Sequence, residues 1–331
     1  MEIKLPENLN RERISDFEKI LEQLSKEEIF HRIFEVKTKE ITLDNLPEKY
    51  SDFKKQKLIF VDDKILDKVA IFNLSRKKRP QPIQETQRQD KDPFCNYQTE
   101  TPVDEIGRLE NESSVTASNL SKMADHHSLI IFKKHNFDDL NEQDFLLAMK
   151  LAQEWFKKIK NFDNQIETKI FIWNYNFRSG ASILHPHFQV LAYRSPLSKV
   201  NELKEKLENY QENFHSNYFE DYFSLMRKIN LAREEDKLKI WPSLTPEKEK
   251  GLILYGNLFQ GAKFLWETLQ KLIQTGTQSF NIFYLLDSDL NYGIFIDRGE
   301  VNKLNSDFGA LEIFGIKIIS SDPSETGKIL F

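Results

Sequence analysis

Residues 183–193 read ILHPHFQVLAY, an apolar strand pattern with two histidines set around a proline. Side chains alternate between the faces of a strand, so His185, His187 and Gln189 share one side and Phe188 takes the other. Pro186 brings no donor to a β-ladder and belongs at an edge or a strand end. Just upstream, Gly180, Ala181 and Ser182 are small enough for a phosphate or another backbone to come close. Only seven histidines occur in the chain. Two in one strand are a packing accident, a pair of metal ligands or part of a catalytic site. A row of two imidazoles and an amide behind a small-residue turn suits phosphoryl chemistry, in which one group attacks, one orients and one stabilises charge.

The neighbouring sequence predicts a layered domain around this strand. HHSLIIF (126–132) and ETKIFIWNYN (167–176) read as further strands, and LNEQDFLLAMKLAQEWFKKI (140–159) as an amphipathic helix. Antiparallel strands with one long helix imply an α+β fold rather than a doubly wound sheet. No glycine-rich phosphate loop of the Walker or GxGxxG type is present, so a nucleotide would be held another way. Upstream, residues 12–36 carry a helical stripe (Ile14, Phe17, Ile20, Leu21, Leu24), with Ser15 and Glu18 spaced as a capping box. Residues 58–74 read as strand, turn, strand.

Two polar stretches, 80–102 and 104–121, read as loops, and the first holds the sole cysteine, Cys95. In the second half, residues 200–232 and 244–276 read as helical. Residues 280–288, 291–300 and 312–320 follow as strands. Helix, strand, strand therefore recurs, which suggests a duplicated unit.

A chain of 331 residues makes one large domain or two ordinary ones. Its net charge of −5 gives no electrostatic footprint for nucleic acid. The N-terminal residues lack the basic and apolar regions of a signal peptide, and no apolar run is long enough to span a bilayer. A single cysteine excludes an intramolecular disulfide. The expectation is a cytoplasmic protein that engages neither nucleic acid nor membrane.

Asn174, Gly180, Ser182 and the run His185-Pro186-His187-Phe188-Gln189 resemble the signature of the galactose-1-phosphate uridylyltransferases, in the histidine triad superfamily. The resemblance extends to RKKRP (76–80), to DPFC (92–95) with Thr101-Pro102, and to SLIIFKKH (128–135). It covers roughly residues 68–195 and continues more loosely to the end. It implies a histidine-triad-like antiparallel sheet with packed helices, in two similar halves. The expected division is a helical extension over 1–65, a catalytic half over 66–198 and a degenerate half over 199–331.

The resemblance also implies roles. His187 would be the nucleophile that attacks the α-phosphorus of a nucleotide sugar, with a backbone carbonyl fixing its tautomer. Gln189 and Ser182 would bond the phosphoryl oxygens; Arg76, Arg79, Asn119, Asn174, Gly180 and Glu312 would contact substrate. Asp92, Cys95, His135 and His185 would hold one zinc ion, with Asp92 where many relatives have cysteine. Glutamine at 189 is neither acid nor base and leans toward transfer over hydrolysis. The implied activity is nucleotidyl transfer between nucleotide sugars and sugar 1-phosphates by a homodimer. The alternative is phosphorolysis or hydrolysis of a dinucleotide or nucleotide sugar at the same histidine.

Three features depart from the family pattern. Asn176 replaces a glycine, Phe188 replaces a small residue, and 291–300 lacks the histidines of a second metal site. His126 and His127 read as structural or exposed, and His31 and His215 carry no signal.

Overall fold

The computed structural model describes residues 12–42, 55–73, 92–120, 122–195, 197–301 and 316–331. The chain opens with α1 (Glu12–Leu24), α2 (Glu28–Ile33), β1 (Phe34–Thr42), β2 (Lys55–Asp63) and β3 (Lys68–Phe72). A short α3 (Tyr97–Glu100) precedes β4 (Ser114–Ser118), β5 (His126–Phe132), α4 (Glu142–Phe162), β6 (Thr168–Tyr175) and β7 (His187–Tyr193). Then come α5 (Ser198–Phe214), α6 (Tyr218–Lys228), β8 (Arg233–Glu235), β9 (Leu238–Pro242), β10 (Leu252–Gly256) and α7 (Ala262–Gln274). The described chain ends with β11 (Phe280–Leu286), β12 (Asn291–Asp297), β13 (Ile316–Ile319) and α8 (Pro323–Leu330).

The fold is α+β. Nine strands form one antiparallel sheet in the order β4-β5-β7-β6-β11-β12-β10-β9-β8. A second sheet runs β1-β2-β3-β13, with β13 parallel to β3. The element order β4, β5, α4, β6, β7 recurs as β9, β10, α7, β11, β12. Outward from the central β6–β11 pair, the large sheet reads β7, β5, β4 on one side and β12, β10, β9 on the other. This is the pattern a duplicated unit leaves.

α4 starts where its sequence directs. The Asn141 side chain accepts from the Asp144 N–H, and the Asp144 carboxylate accepts from the Asn141 N–H, completing a capping box. Its apolar stripe (Phe145, Ala148, Met149, Ala152, Trp155, Ile159) is buried with α7 against one face of the large sheet. Phe188 and Val190 of β7 project to that face. Phe188 is fully buried and meets Phe132, Phe145, Phe171 and Trp173 at centroid distances of 4.8–5.8 Å. The other face packs against α1, α2, α5, α6 and the smaller sheet.

Several sequence expectations are corrected. Residues 244–276 are not one helix, because the apolar run after Gly251 is strand β10 and only Ala262–Gln274 is helical. Gly256 closes β10 at a φ of 113°, where an added Cβ would lie 2.2 Å from the Lys237 carbonyl oxygen. The polar stretch 104–121 contains β4, whose Ser114, Thr116 and Ser118 are buried. These small polar residues carry weak apolar periodicity, which hid the strand. α1 begins at Glu12, so Ser15 lies inside the helix rather than at its cap.

The strand expected over 183–193 begins only at His187. Pro186 stands at its start, and the strand is central, not an edge. Of the two readings given for His126 and His127, structural or exposed, both residues are buried.

Replacing Phe188 by Ala removes the ring at the centre of this aromatic cluster and should cost about 3–5 kcal/mol. Urea unfolding checks this, and a loss under about 1 kcal/mol would contradict the packing described.

Candidate active site and metal-binding cluster

His187 leads β7 on the sheet face away from α4, and its ring is aimed by a bond to the chain just before it. Its Nδ1 lies 2.9 Å from the His185 carbonyl oxygen, an obligate acceptor, so Nδ1 carries the proton and donates. The Nε2 lone pair is left for other work. The side chain is 7% exposed. Burial above all holds its pKa below the usual histidine range, so the ring is neutral at neutral pH.

A cavity of about 460 Å³ opens in front of His187. Asn119, Asn174, Gly180, Ser182 and Gln189 line it together with His187. Six residues singled out in the sequence therefore meet in one place. Thr101 and Pro102 also line it, and Phe94, Leu120, Met123, Leu129 and Ile183 supply apolar wall. Arg76, Arg79 and Glu312 lie outside the described residues. A slightly larger cavity, of about 500 Å³, lies between β3, α5 and the central strands β6, β11 and β12 of the same sheet. It contains no histidine.

The polar side chains of the site are also held from behind. Arg298 donates to Asn281 Oδ1 (2.8 Å), which turns the Asn281 amide nitrogen toward Asn174 Oδ1 (2.6 Å) and the Ser179 carbonyl (2.8 Å). With its oxygen taken, Asn174 presents its N–H groups to the cavity. The turn before Gly180 is shaped by Asn176, whose φ of 68° and ψ of 166° are costly for any residue with a Cβ. That conformation explains why a glycine suits this position. Asn176 offsets the cost by accepting from the Phe177 N–H (2.8 Å) and donating to the Gln278 carbonyl (3.1 Å).

His185 faces the other way, into a cluster with Asp92, Cys95 and His135. Four ligand atoms of this cluster lie within 4.8 Å of one another. His185 Nδ1 is 2.7 Å and His135 Nδ1 2.8 Å from Asp92 Oδ2, and Cys95 Sγ is 3.1 Å from both Asp92 Oδ2 and His135 Nδ1. His185 Nε2 is 2.6 Å from the Phe132 carbonyl oxygen and so carries its proton there. In a neutral ring the Nδ1 lone pair then points at a carboxylate oxygen. Two acceptors that close need a positive charge between them, either a proton or a metal ion. Two imidazoles, a thiolate and a carboxylate converging in this way fit a divalent cation.

Asp92 has two functions at once. Its Oδ1 accepts from the Phe94 N–H (2.9 Å) as a turn cap, leaving Oδ2 for the cluster. Burial alone would raise its pKa, but its neighbours His185, Cys95 and the Phe94 N–H hold it below the usual carboxylate range. Cys95 is exposed, and desolvation with the Asp92 carboxylate beside it pushes its pKa up to about 11. Phe94 separates cluster and cavity, with its ring 5.8 Å from His185 and 5.1 Å from His187.

Sequence reasoning missed His127, Asn281, Arg298 and the wall formed by Phe94. A period-2 reading of β5 places His127 on the face of Leu129 and Ile131. The pairing of β5 with β7, which brings it to Gln189, is invisible in one sequence. Nothing in the sequence marked Asn281.

His127, like His187, has its pKa depressed chiefly by burial. The unfolded chain therefore takes up protons below about pH 6.5 that the native rings refuse. Both contributions to stability are complete above that pH and decline as pH falls through the window below it, by at most about 1.4 kcal/mol per unit for each ring. The urea midpoint should be lower at about pH 5.5 than at about pH 7.5, and equal midpoints would contradict neutral burial.

No family model matches the chain, and no curated protein matches it either. Solved structures do. An ADP-glucose phosphorylase from Arabidopsis thaliana, with bound ADP-glucose, superposes with a TM-score of 0.63 at 14% identity, over 82% of this chain and 97% of that one. A galT-like protein from Arabidopsis thaliana gives 0.61 at 13% identity, over 82% and 97%. A uridylyltransferase gives 0.58 at 12% identity, over 82% and 96%. Among the described residues, no helix is long and apolar enough to cross a membrane. The chain has the fold shared by that phosphorylase, the galT-like protein and the uridylyltransferase.

Proposed function

We propose that the chain is a divergent member of the galactose-1-phosphate uridylyltransferase family that transfers a nucleotidyl group through His187. The observation that carries this reading is the His187 ring itself: neutral, its Nδ1–H held by the His185 carbonyl and its Nε2 left free, at a cavity lined with amides, hydroxyls and the Glu100 carboxylate. A nucleophilic imidazole needs that tautomer.

In the first half-reaction, Nε2 attacks the α-phosphorus of a nucleotide sugar. The bond to the bridging oxygen breaks, and the sugar 1-phosphate leaves with the electron pair. The ring keeps its Nδ1 proton and takes a positive charge, which the His185 carbonyl oxygen stabilises. Gln189, Asn174 and Ser182 donate to the phosphoryl oxygens, while Arg76 and Arg79 supply positive charge and Glu312 holds sugar hydroxyls. In the second half-reaction an acceptor phosphate oxygen displaces the imidazole. The two steps share one site, which gives ping-pong kinetics.

The acceptor is a second sugar 1-phosphate in the reading we favour. Inorganic phosphate is the alternative, supported by the likeness to the ADP-glucose phosphorylase. Both use the same first half-reaction, and glutamine at 189 offers no base to activate water. Asp92, Cys95, His135 and His185 would hold a zinc ion, which would neutralise the carboxylate and thiolate and fix the segment leading into His187.

Incubation with ADP-glucose, UDP-glucose and GDP-hexoses radiolabelled at the α-phosphorus should leave acid-labile, base-stable label on the protein. His187→Ala should remove it, with a loss of at least about 10³-fold in turnover. Nucleotide binding without label from any donor would reject covalent transfer. Zinc content is an independent check: about one equivalent is expected after metal-replete expression, and less than about a tenth would reject the metal assignment.

A further inference from the structure

We propose that His127, which does not line the cavity, is a positioning residue that sets which end of the Gln189 amide faces the substrate. This role rests on the His187 chemistry proposed above and adds a residue to it.

Gln189 presents either an acceptor oxygen or two donor hydrogens to the cavity, depending on which way its amide is turned. Only the donor end stabilises a phosphoryl group. The choice is made behind the sheet's reacting row. β5 pairs with β7 so that Leu129 stands opposite Gln189, and His127 reaches Gln189 along the diagonal. His127 Nε2 lies 3.0 Å from Gln189 Oε1.

The tautomer of His127 is settled by a group that has only one option. The Met123 backbone N–H donates to His127 Nδ1 at 3.2 Å. Nδ1 is therefore an acceptor, and the single proton of the neutral ring resides on Nε2. Burial, which depresses the ring's pKa, disfavours a second proton. Nε2–H donates to Gln189 Oε1, and the Gln189 N–H groups are left for the cavity. The Asn119 Nδ2 sits 3.2 Å from the same Nε2, so a donor Nε2 requires this amide in its flipped orientation, with its oxygen there. The sequence of constraint runs from a backbone N–H through a buried imidazole to the amide that meets the phosphate.

A merely structural histidine and a positioning one differ in what replaces them. A glutamine side chain in place of His127 keeps an N–H at the reach of Nε2, whereas a methionine side chain has a similar shape with no donor. The readouts are the single-turnover rate of α-phosphorus label transfer to His187, using whichever radiolabelled nucleotide sugar labels the wild type, and the affinity for that sugar. His127→Met should slow labelling by about 10–100-fold with affinity changed less than about 3-fold, and His127→Gln should stay within about 3-fold of wild type. In a Gln189→Met background, His127→Met should have no further effect, because the amide it orients is gone.

Equal rates for His127→Met and His127→Gln would overturn the proposal, as would effects of His127→Met and Gln189→Met that multiply. If His127→Met lacks a cooperative melting transition, His127→Asn, whose shorter amide falls short of Gln189, replaces it with the same two outcomes. Absence of label in the wild type would instead overturn the His187 reading, and this role with it.

Discussion

The hydrogen bond from His187 Nδ1 to the His185 carbonyl is the constraint on which the site depends. A backbone carbonyl two residues away cannot change protonation state or rotate out of reach. Breaking this bond inside the protein would strand a buried donor at about 1–3 kcal/mol. The ring is thereby confined to one tautomer and one orientation. That bond exists because the chain enters β7 through Pro186, whose carbonyl in turn accepts from the Phe132 N–H at 3.1 Å. The same His185 that lends its carbonyl to His187 turns its side chain into the Asp92–Cys95–His135 cluster. The four-residue cluster and the His187 ring therefore share one short backbone segment.

The same principle recurs at the polar groups around His187. Asn174 and Gln189 are each held by a partner, so that their other amide end is left toward the cavity. Asn281 and Arg298, from the second half, do this for Asn174. The second half thus lacks the histidine motif yet still shapes the site. The central β6–β11 pairing makes this possible, because it sets Asn281 opposite Asn174. Phe188 and Val190 anchor the other face of β7 to the α4–α7 layer, which keeps His187 and Gln189 from shifting.

Much of this was legible in the sequence where side-chain type and spacing carried the signal. The period-2 pattern of β7, the stripe of α4 and the placing of Gly180, Ser182, His187 and Gln189 were readable because each is a local property, whereas Asn119 and Asn174 came from a resemblance. The four residues of the cluster were readable from a resemblance rather than from spacing, since Asp92 and His185 are far apart in the chain. What escaped detection was non-local or chemically quiet. β4 is made of small polar residues, β10 was hidden in a longer stretch that looked helical, and His127 acquires a role only through strand pairing. Asn176 shows the converse: its departure from glycine was visible, but only its positive φ explains why glycine belongs there.

A nucleophilic His187 stands or falls on its tautomer. Long-range proton–nitrogen correlation spectra of protein labelled at the histidine ring nitrogens report it directly. At neutral pH, His187 should be a neutral ring protonated at Nδ1 with a bare Nε2, and the signal should vanish in His187→Ala. A His187 ring protonated at Nε2, or doubly protonated, would contradict the nucleophilic role, because no lone pair would then face the cavity.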